Sequence, residues 1–180
     1  MPYTLEPTPR RLRVYQQNLN KSDKAQYDLI NSTAHKDWDL LLLQEPYIDT
    51  LGNTKANHNW CILYPTSHLT NDTMKHSVIL VNATLNINTW SQLSLSGTND
   101  VTAIQFRHSW GKIMIYNIYN ACEHLATLWV LDNYIELEKH NIIQHEMDAM
   151  MWCSDFNWQY PMWDEEHNHH LFTAEATRGR

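Results

Sequence analysis

Glycine is scarce in this 180-residue chain, which contains only Gly52, Gly97, Gly111 and Gly179. No two of these glycines lie close together in the sequence. Loops that wrap a nucleotide phosphate need clustered glycines, because several backbone N–H groups must approach the same phosphate. The sequence therefore excludes a P-loop and a dinucleotide-binding fingerprint, and we expect no nucleotide cofactor.

Cysteines and long apolar segments are also rare. The three cysteines, Cys61, Cys122 and Cys153, lie far apart and predict neither a disulfide framework nor a zinc ribbon. Apolar runs such as Leu40–Leu43 are too short to cross a membrane. The N-terminal segment lacks the apolar stretch of a signal peptide. We therefore expect an intracellular protein of a reducing compartment, with no membrane partner.

A surplus of basic charge is missing as well. The chain has 13 Lys and Arg against 20 Asp and Glu, a formal net charge of −7. Residues 1–60 are balanced, so the whole negative surplus lies in residues 61–180. Nucleic-acid-binding proteins usually carry a basic surplus. A function that handles phosphate would therefore need a metal cation or a local basic patch.

The chain does contain many short strand patterns with helices between them. The leucine run at 40–44, closed by Glu45-Pro46, is typical of a strand buried on both faces. Helices are predicted over 23–34, capped by Ser22, over about 123–139, and from 168. The predicted strands are 12–18, 40–44, 60–64, 77–82, 89–95, 101–106, 112–119 and 150–153. The predicted core side of the second helix is Leu125, Leu128, Trp129, Leu131, Ile135 and Leu137.

This order of elements predicts one α/β domain over residues 11–180, preceded by an N-terminal arm of residues 1–10. Segments 89–95 and 101–106 flank a Gly-containing turn, which predicts a β-hairpin. The residues from Ser154 to position 164 are predicted to form a loop.

Acidic and amide side chains follow three of the predicted strands. Asn18 ends the first strand, Glu45 follows the second, and Asp155 and Asn157 follow the strand near residue 150. Oxygen ligands at the ends of rigid strands suit Mg²⁺, which takes one or two carboxylates together with water and phosphate. Tyr119 adds a phenol that can contact a phosphate. Each residue alone could simply be a polar residue that ends a strand in a solvent-exposed loop. The predicted metal site therefore depends on all of these residues occurring together.

Four segments in order carry a family resemblance: Q-Q-N-L-N-K-S at 16–22, L-Q-E-P-Y at 43–47, Y-N-I-Y-N at 116–120 and C-S-D-F-N at 153–157. They resemble the endonuclease/exonuclease/phosphatase superfamily. The Q-N-x-x-x-S and Q-E-P-Y forms, with P-M-W-D at 161–164, are similar to the endonuclease domain of non-LTR (LINE-type) retrotransposons.

The resemblance implies a deoxyribonuclease I-like, four-layered sandwich of two mixed β-sheets flanked by helices. It also implies a hydrolase that cuts phosphodiester bonds in DNA with Mg²⁺ or Mn²⁺, and a nuclear location if it serves a retrotransposon. By position, Glu45 and Asn18 would hold the metal, and Asp155 would activate or orient the attacking water. Asn157 would help to position that water and the phosphate, and Tyr119 would contact the scissile phosphate.

Four further residues are candidates for contact with DNA. Arg13 and Lys21 lie near the first motif and could bind backbone phosphates, although a solvated basic face is the alternative. Trp158 and Tyr160 could stack on bases, with ordinary packing as their alternative.

Two departures from the family pattern bear on activity. Ser154 stands where the family has glycine, so a positive φ there would strain the segment that aims Asp155. The family's C-terminal S-D-H or T-D-H motif has no counterpart, because no Ser-Asp or Thr-Asp pair precedes a histidine. We therefore expect the last strands to be missing and an endonuclease that is weakened or inactive. The alternatives are a non-catalytic remnant and an apurinic-site repair nuclease or phosphatase of the same superfamily.

Overall fold

The computed structural model of the chain describes residues 11–68, 75–109, 111–121 and 125–155. The strands are β1 (Val14–Asn18), β2 (Leu40–Gln44), β3 (Trp60–Leu63), β4 (Ser77–Asn82), β5 (Trp90–Leu93), β6 (Val101–His108), β7 (Gly111–Tyr119) and β8 (Ala149–Asp155). The helices are α1 (Asp23–Asn31), α2 (Ala34–Asp37) and α3 (Ala126–Ile142), with a short 3-10 helix at Ile87–Thr89. The N-terminal arm and the helix predicted from residue 168 lie outside the described residues.

The strands form two four-stranded sheets. In the first sheet the order is β1-β2-β4-β3, with β1 parallel to β2 and both β2 and β3 antiparallel to β4. In the second the order is β5-β6-β7-β8, with β8 parallel to β7 and the other pairs antiparallel. Both sheets are therefore mixed, and the predicted hairpin is confirmed as β5 and β6.

The alternating side chains of the strands place these sheets in layers. Leu41 and Leu43 of β2 pack with Ile30 and Ala34 of the helices, on the outer face of the first sheet. The other leucines of β2 point inward, because successive side chains of a strand face opposite ways. The apolar core between the two sheets contains Leu40, Leu42, Leu63, Ile79, Val81, Ile104 and Ile115.

Helix α3 covers the outer face of the second sheet. Its Leu131 and Ile142 pack against Ala103, Met114 and Tyr116 of the strands. Burial raises the pKa of the Tyr116 phenol, which is almost completely enclosed there. The layers therefore run helix, sheet, sheet, helix, and the predicted four-layered α/β sandwich is confirmed.

One predicted helix is two in the structure. Helix α1 is capped by Ser22, as predicted, but it ends at Asn31, and α2 begins at Ala34. The hydroxyl of Ser32 donates to the carbonyl of Leu29 and accepts from the N–H of Ala34. Such local side-chain bonds give the backbone an alternative to the helical ladder, which ends the helix early.

The prediction was also wrong for three residues assigned to the core side of the second helix. Trp129 is 67% exposed and Leu137 is 81% exposed on α3. Leu125 also lies exposed, before the helix begins. A position facing the sheet is filled instead by Thr127, whose hydroxyl donates to a carboxylate oxygen of Asp100 at 2.8 Å. The helix therefore buries a narrower face than its apolar residues suggest.

Strand β8 is longer than predicted and is held in register by the turn before it. Asp148 accepts hydrogen bonds from the backbone N–H groups of Gln144, Lys112 and His145. These bonds, led by the one from Gln144, hold the pKa of the Asp148 carboxyl below its usual range. The strand then runs in register with β7 as far as Asp155, so the loop predicted from Ser154 was wrong at its start.

Within the described segments, no helix combines the length and the apolar character that a membrane crossing needs.

Candidate active site

The ends of several strands meet at one edge of the sandwich. Parallel β1 and β2 end together, with Asn18 opposite Gln44 and Glu45 directly after it. Parallel β7 and β8 end together in the other sheet, with Tyr119 opposite Asp155. The topology thus brings polar residues from distant parts of the chain to the same edge.

The amide of Asn18 joins the two sheets at this edge. Its Nδ2 donates to Oδ2 of Asp155 at 2.6 Å and lies 3.4 Å from Oε1 of Glu45. Its Oδ1 accepts the backbone N–H of Asn20 at 2.7 Å, which directs the NH₂ group toward the carboxylates. One side chain of β1 therefore contacts both candidate carboxylates.

The turn after Asn18 explains the spacing of the first motif. Asn20 and Lys21 have positive φ values of 47° and 58°, and Ser22 then caps α1. The backbone N–H of Lys21 donates to the carbonyl of Glu45 at 2.8 Å. The turn is therefore fixed against the end of β2, and only four residues, 19–22, separate the strand from the helix.

Glu45 adopts a left-handed backbone conformation, with φ of 43°. Its N–H donates to the carbonyl of His76 at 2.8 Å, and its carbonyl accepts from Lys21. A left-handed conformation costs a residue with a Cβ atom about 1–2 kcal/mol. Such strain persists where neighbouring structure enforces it, and it is common at functional sites.

We expect Glu45→Gly to be more stable than Glu45→Ala by about 1 kcal/mol, because glycine adopts positive φ without strain. Glycine also raises the conformational entropy of the unfolded chain, and this effect cancels only part of the gain. Urea unfolding of the two variants measures the difference. Both lack the carboxylate, so the comparison isolates the Cβ atom. An alanine variant that equals or exceeds the glycine variant would contradict a strained backbone at this position.

Two site residues were missed in the sequence, His76 and Asp100. Nδ1 of His76 lies 2.7 Å from Oδ1 of Asp100, and the imidazole ring lies 4.9 Å from the ring of Tyr119, centroid to centroid. A signal was available, because each residue directly precedes a predicted strand. Since β4 and β6 run antiparallel to β2 and β7, their first residues lie at the edge where the other strands end.

The predicted site residues are only partly brought together. Asn18, Glu45, Tyr119 and Asp155 meet at the edge just described, and Lys21 lies at its margin, with Nζ 4.0 Å from Oε2 of Glu45. Three residues, Asn157, Trp158 and Tyr160, lie outside the described residues.

Arg13 lies at the other end of β1, away from this edge. Its Nε and Nη2 each donate at 3.2 Å to the buried carboxylate of Asp39, and its Nη1 donates to the carbonyl of Lys36. The carboxylate also raises the pKa of the guanidinium.

Ser154 is not strained. It lies within β8 opposite Ile118 and does not belong to the described non-glycine residues with positive φ. Serine would distort this segment only if its φ were positive, and it is not, so Ser154 does not strain the segment that aims Asp155.

The donor set fits a hard divalent cation. Among the residues that the structure describes, no group of three or more His, Cys, Asp or Glu side chains could hold a metal ion. Mg²⁺ needs only one or two protein carboxylates, because water and substrate phosphate complete its shell. The carboxylates of Glu45 and Asp155 both contact the side-chain amide of Asn18 at an exposed edge. A cation bound there would therefore also offset the repulsion between the two carboxylates.

No protein-family model matches the sequence, and no curated protein matches it significantly. Solved structures do match it. One of them is the endonuclease domain of TRAS1, a telomere-specific non-LTR retrotransposon. The two structures superpose with a TM-score of 0.61 and 18% sequence identity, over 89% of this chain and 68% of the TRAS1 domain. The chain has the deoxyribonuclease I-like fold.

Two other proteins with the deoxyribonuclease I-like fold match as well. The AP endonuclease LMAP from Leishmania major gives a TM-score of 0.56 at 13% identity over 81% of this chain and 55% of that one. Truncated TDP2 from Caenorhabditis elegans gives a TM-score of 0.51 at 13% identity, over 82% of this chain and 63% of that one. The chain thus spans little more than half to two thirds of the length of these proteins, and the likeness concerns the fold.

Proposed function

We propose that this chain is a metal-dependent phosphodiesterase domain that nicks DNA and derives from a non-LTR retrotransposon. The observation that carries the proposal is the contact of Asn18 with both Glu45 and Asp155 where the two sheets meet. The fold adds support, because the matching structures include two endonucleases by name. The proposed origin is supported by the order and form of the four motifs.

Each residue has a distinct proposed role. Glu45 would hold Mg²⁺ or Mn²⁺, which would offset the negative charge that develops on the phosphate during hydrolysis. Asn18, predicted as a second metal ligand, would instead orient the two carboxylates, because its NH₂ group faces them and its Oδ1 accepts from Asn20.

Asp155 would accept a proton from the water whose oxygen bonds to phosphorus, while one P–O ester bond breaks. The leaving oxygen would take a proton from solvent, which gives a phosphomonoester end and a hydroxyl end. Tyr119 contacts the scissile phosphate, and Asn157 helps to position it and the water.

DNA contacts are proposed for three of the predicted residues. Lys21 extends at the margin of the site and can contact a backbone phosphate. Trp158 and Tyr160 follow Asp155 closely in the sequence and remain candidates for stacking on bases. Arg13 is left out of this proposal, because its guanidinium is bonded to Asp39 at the other end of β1.

Nicking of supercoiled plasmid tests the proposal. We expect slow conversion to open circles with Mg²⁺ or Mn²⁺, no conversion with EDTA, and recovery when the metal is restored. Glu45→Gln is the matched control, because it keeps the size of the side chain but removes its charge, and it should nick no faster than the EDTA sample. Slow turnover is expected because the sequence has no S-D-H or T-D-H motif.

Two results would contradict the proposal. Absence of metal-dependent nicking would favour a non-catalytic remnant, and equal nicking by Glu45→Gln would point to a contaminating nuclease. A duplex with one abasic site and a phosphomonoester serve as comparison substrates. A strong preference for either would replace the proposed DNA nicking by apurinic-site repair or phosphatase activity.

A further inference from the structure

The inward faces of the central strands become polar just beneath the candidate active site. Over most of their length, β2, β4, β6 and β7 contribute apolar side chains to the core between the sheets. At the end next to the site, each of these strands places one buried polar residue on the same face. We call these residues the inter-sheet cluster, and they are Gln44, Ser77, Thr102 and Asn117.

The hydrogen bonds of the inter-sheet cluster join one sheet to the other. Nδ2 of Asn117 donates to two backbone carbonyls of the first sheet, at 3.0 and 2.9 Å. Nε2 of Gln44 donates to Oδ1 of Asn117 at 2.5 Å. The hydroxyl of Ser77 donates to the carbonyl of Asn117 at 2.8 Å, and the hydroxyl of Thr102 donates to the carbonyl of Ser77 at 2.9 Å. Each of these bonds runs between a strand of one sheet and a strand of the other.

These bonds add a direction that apolar packing does not supply. Apolar burial is non-directional and depends on the area removed from water. A hydrogen bond weakens steeply when its angle or its length departs from the ideal. Replacement of both partners of a buried pair by apolar groups of similar shape can be almost neutral for stability. The inter-sheet cluster therefore constrains the alignment of the two sheets beyond what it adds to the stability of the fold.

The candidate site depends on that alignment, because its two carboxylates come from different sheets. Glu45 directly follows Gln44 at the end of β2. In the other sheet, Asn117 and Tyr119 are alternate residues of β7, and Tyr119 lies opposite Asp155. At the exposed edge water competes for hydrogen bonds, whereas the cluster is buried. The buried amides thus lie one or two residues beneath the groups that must meet the same phosphate.

We propose that Gln44 and Asn117 are positioning residues for the proposed hydrolysis. They keep the candidate metal ligand of the first sheet in line with the candidate base and the phosphate-contacting phenol of the second. The inference rests on the proposed phosphodiesterase function. The two amides touch neither metal nor substrate and act through Glu45 and Tyr119. Alignment matters to the rate, because a misplacement of about 1 Å can cost about 100-fold.

Two variants remove the amide contacts in steps. Gln44→Met keeps the approximate size of the side chain and removes only the bond between the two amides. The double variant Gln44→Leu with Asn117→Leu removes every hydrogen bond that the two side chains make. We expect kcat for Mg²⁺-dependent nicking to fall by about 100-fold in the double variant, with KM little changed. Gln44→Met should lower kcat by a smaller factor.

Ile142→Ala is the matched control for lost stability. Ile142 is buried at the end of α3, where the neighbouring carbonyl of Asn141 accepts from Nζ of Lys112. Lys112 lies at the beginning of β7, and the site lies at the other end of that strand. Nicking is compared at a temperature at which thermal unfolding shows every variant to be folded. The control should then nick at the wild-type rate, whereas a merely structural role predicts the same rate for the double variant.

The side-chain NH₂ resonances of Asn18 provide a readout that needs no turnover. Nδ2 of Asn18 donates to Oδ2 of Asp155 across the two sheets at 2.6 Å, so its ¹H–¹⁵N signals report their alignment at the site. We expect the resonance of the bonded proton to move upfield in the double variant and to stay in place in Ile142→Ala.

The outcomes separate this inference from the function on which it rests. A double variant that nicks as fast as Ile142→Ala, or one that nicks slowly with unmoved Asn18 resonances, overturns the positioning role and leaves the nuclease intact. A wild-type protein that does not nick overturns the nuclease, and displaced Asn18 resonances then still support alignment by the cluster. No nicking and unmoved resonances overturn both. If the double variant does not fold, Gln44→Met decides by the same two readouts.

Discussion

Replacement of Asp155 by asparagine is expected to lower the rate of Mg²⁺-dependent plasmid nicking by about 10³-fold, within the range for loss of a general base. The substituted side chain can still accept the hydrogen bond from Nδ2 of Asn18, since one of its two terminal atoms remains an oxygen. It cannot take a proton from water. The loss should therefore fall on kcat, and thermal unfolding should stay close to that of the wild type.

Asp132→Asn is the matched control for this experiment, because Asp132 lies on the exposed face of α3. It removes the same charge from the protein and should leave nicking unchanged. If Asp155→Asn nicks at nearly the wild-type rate, another group activates the water. If both variants lose activity equally, the effect comes from overall charge and not from Asp155.

The largest effect on stability is expected from Asn117→Leu. The side chain of Asn117 is fully buried between the sheets, where its Nδ2 donates to the carbonyls of Leu43 and Val78 at 3.0 and 2.9 Å. Its Oδ1 accepts from Nε2 of Gln44 at 2.5 Å. Leucine leaves the Gln44 donor buried without a partner, and we expect the free energy of unfolding to fall by about 3–5 kcal/mol in urea unfolding.

A double variant shows whether the unpaired amide causes this loss. Replacement of both partners by apolar groups of similar shape can be almost neutral. Gln44→Leu with Asn117→Leu should therefore regain at least about 1 kcal/mol over Asn117→Leu alone. A double variant whose losses simply add would mean that the amides do not depend on each other, and a single variant with wild-type stability would contradict the bridge.

The fold could be predicted from the sequence where local pattern and burial agree. The four leucines of β2 read as a strand with two buried faces, and they lie between helices and the opposing sheet. Helix α3 was harder, because Trp129 and Leu137 are apolar but exposed. A helical pattern shows which residues are apolar, but the number that reach the core is set by the width of the sheet face that the helix covers.

The candidate site could be predicted in part for a similar reason. Asn18, Glu45 and Asp155 stand at strand ends within recognisable motifs, so their meeting needed only the topology. His76 and Asp100 stand at strand beginnings, and their place at the same edge follows from antiparallel pairing, which the sequence does not state. Arg13 was included in the prediction because it lies near the first motif in the sequence. In the structure, the length of strand β1 separates Arg13 from Asn18 and from the candidate site.

The contact between Asn18 and Asp155 spans 137 positions of the chain. Because ribosomes add roughly 5 to 20 residues per second, about 7 to 27 s separate the synthesis of these two residues. Asn18 and Glu45 can meet as soon as β1 and β2 pair, but the second carboxylate arrives much later. During translation the nascent domain would therefore hold only half of the proposed cation site, and the proposed hydrolysis could begin only after β8 has emerged and paired with β7.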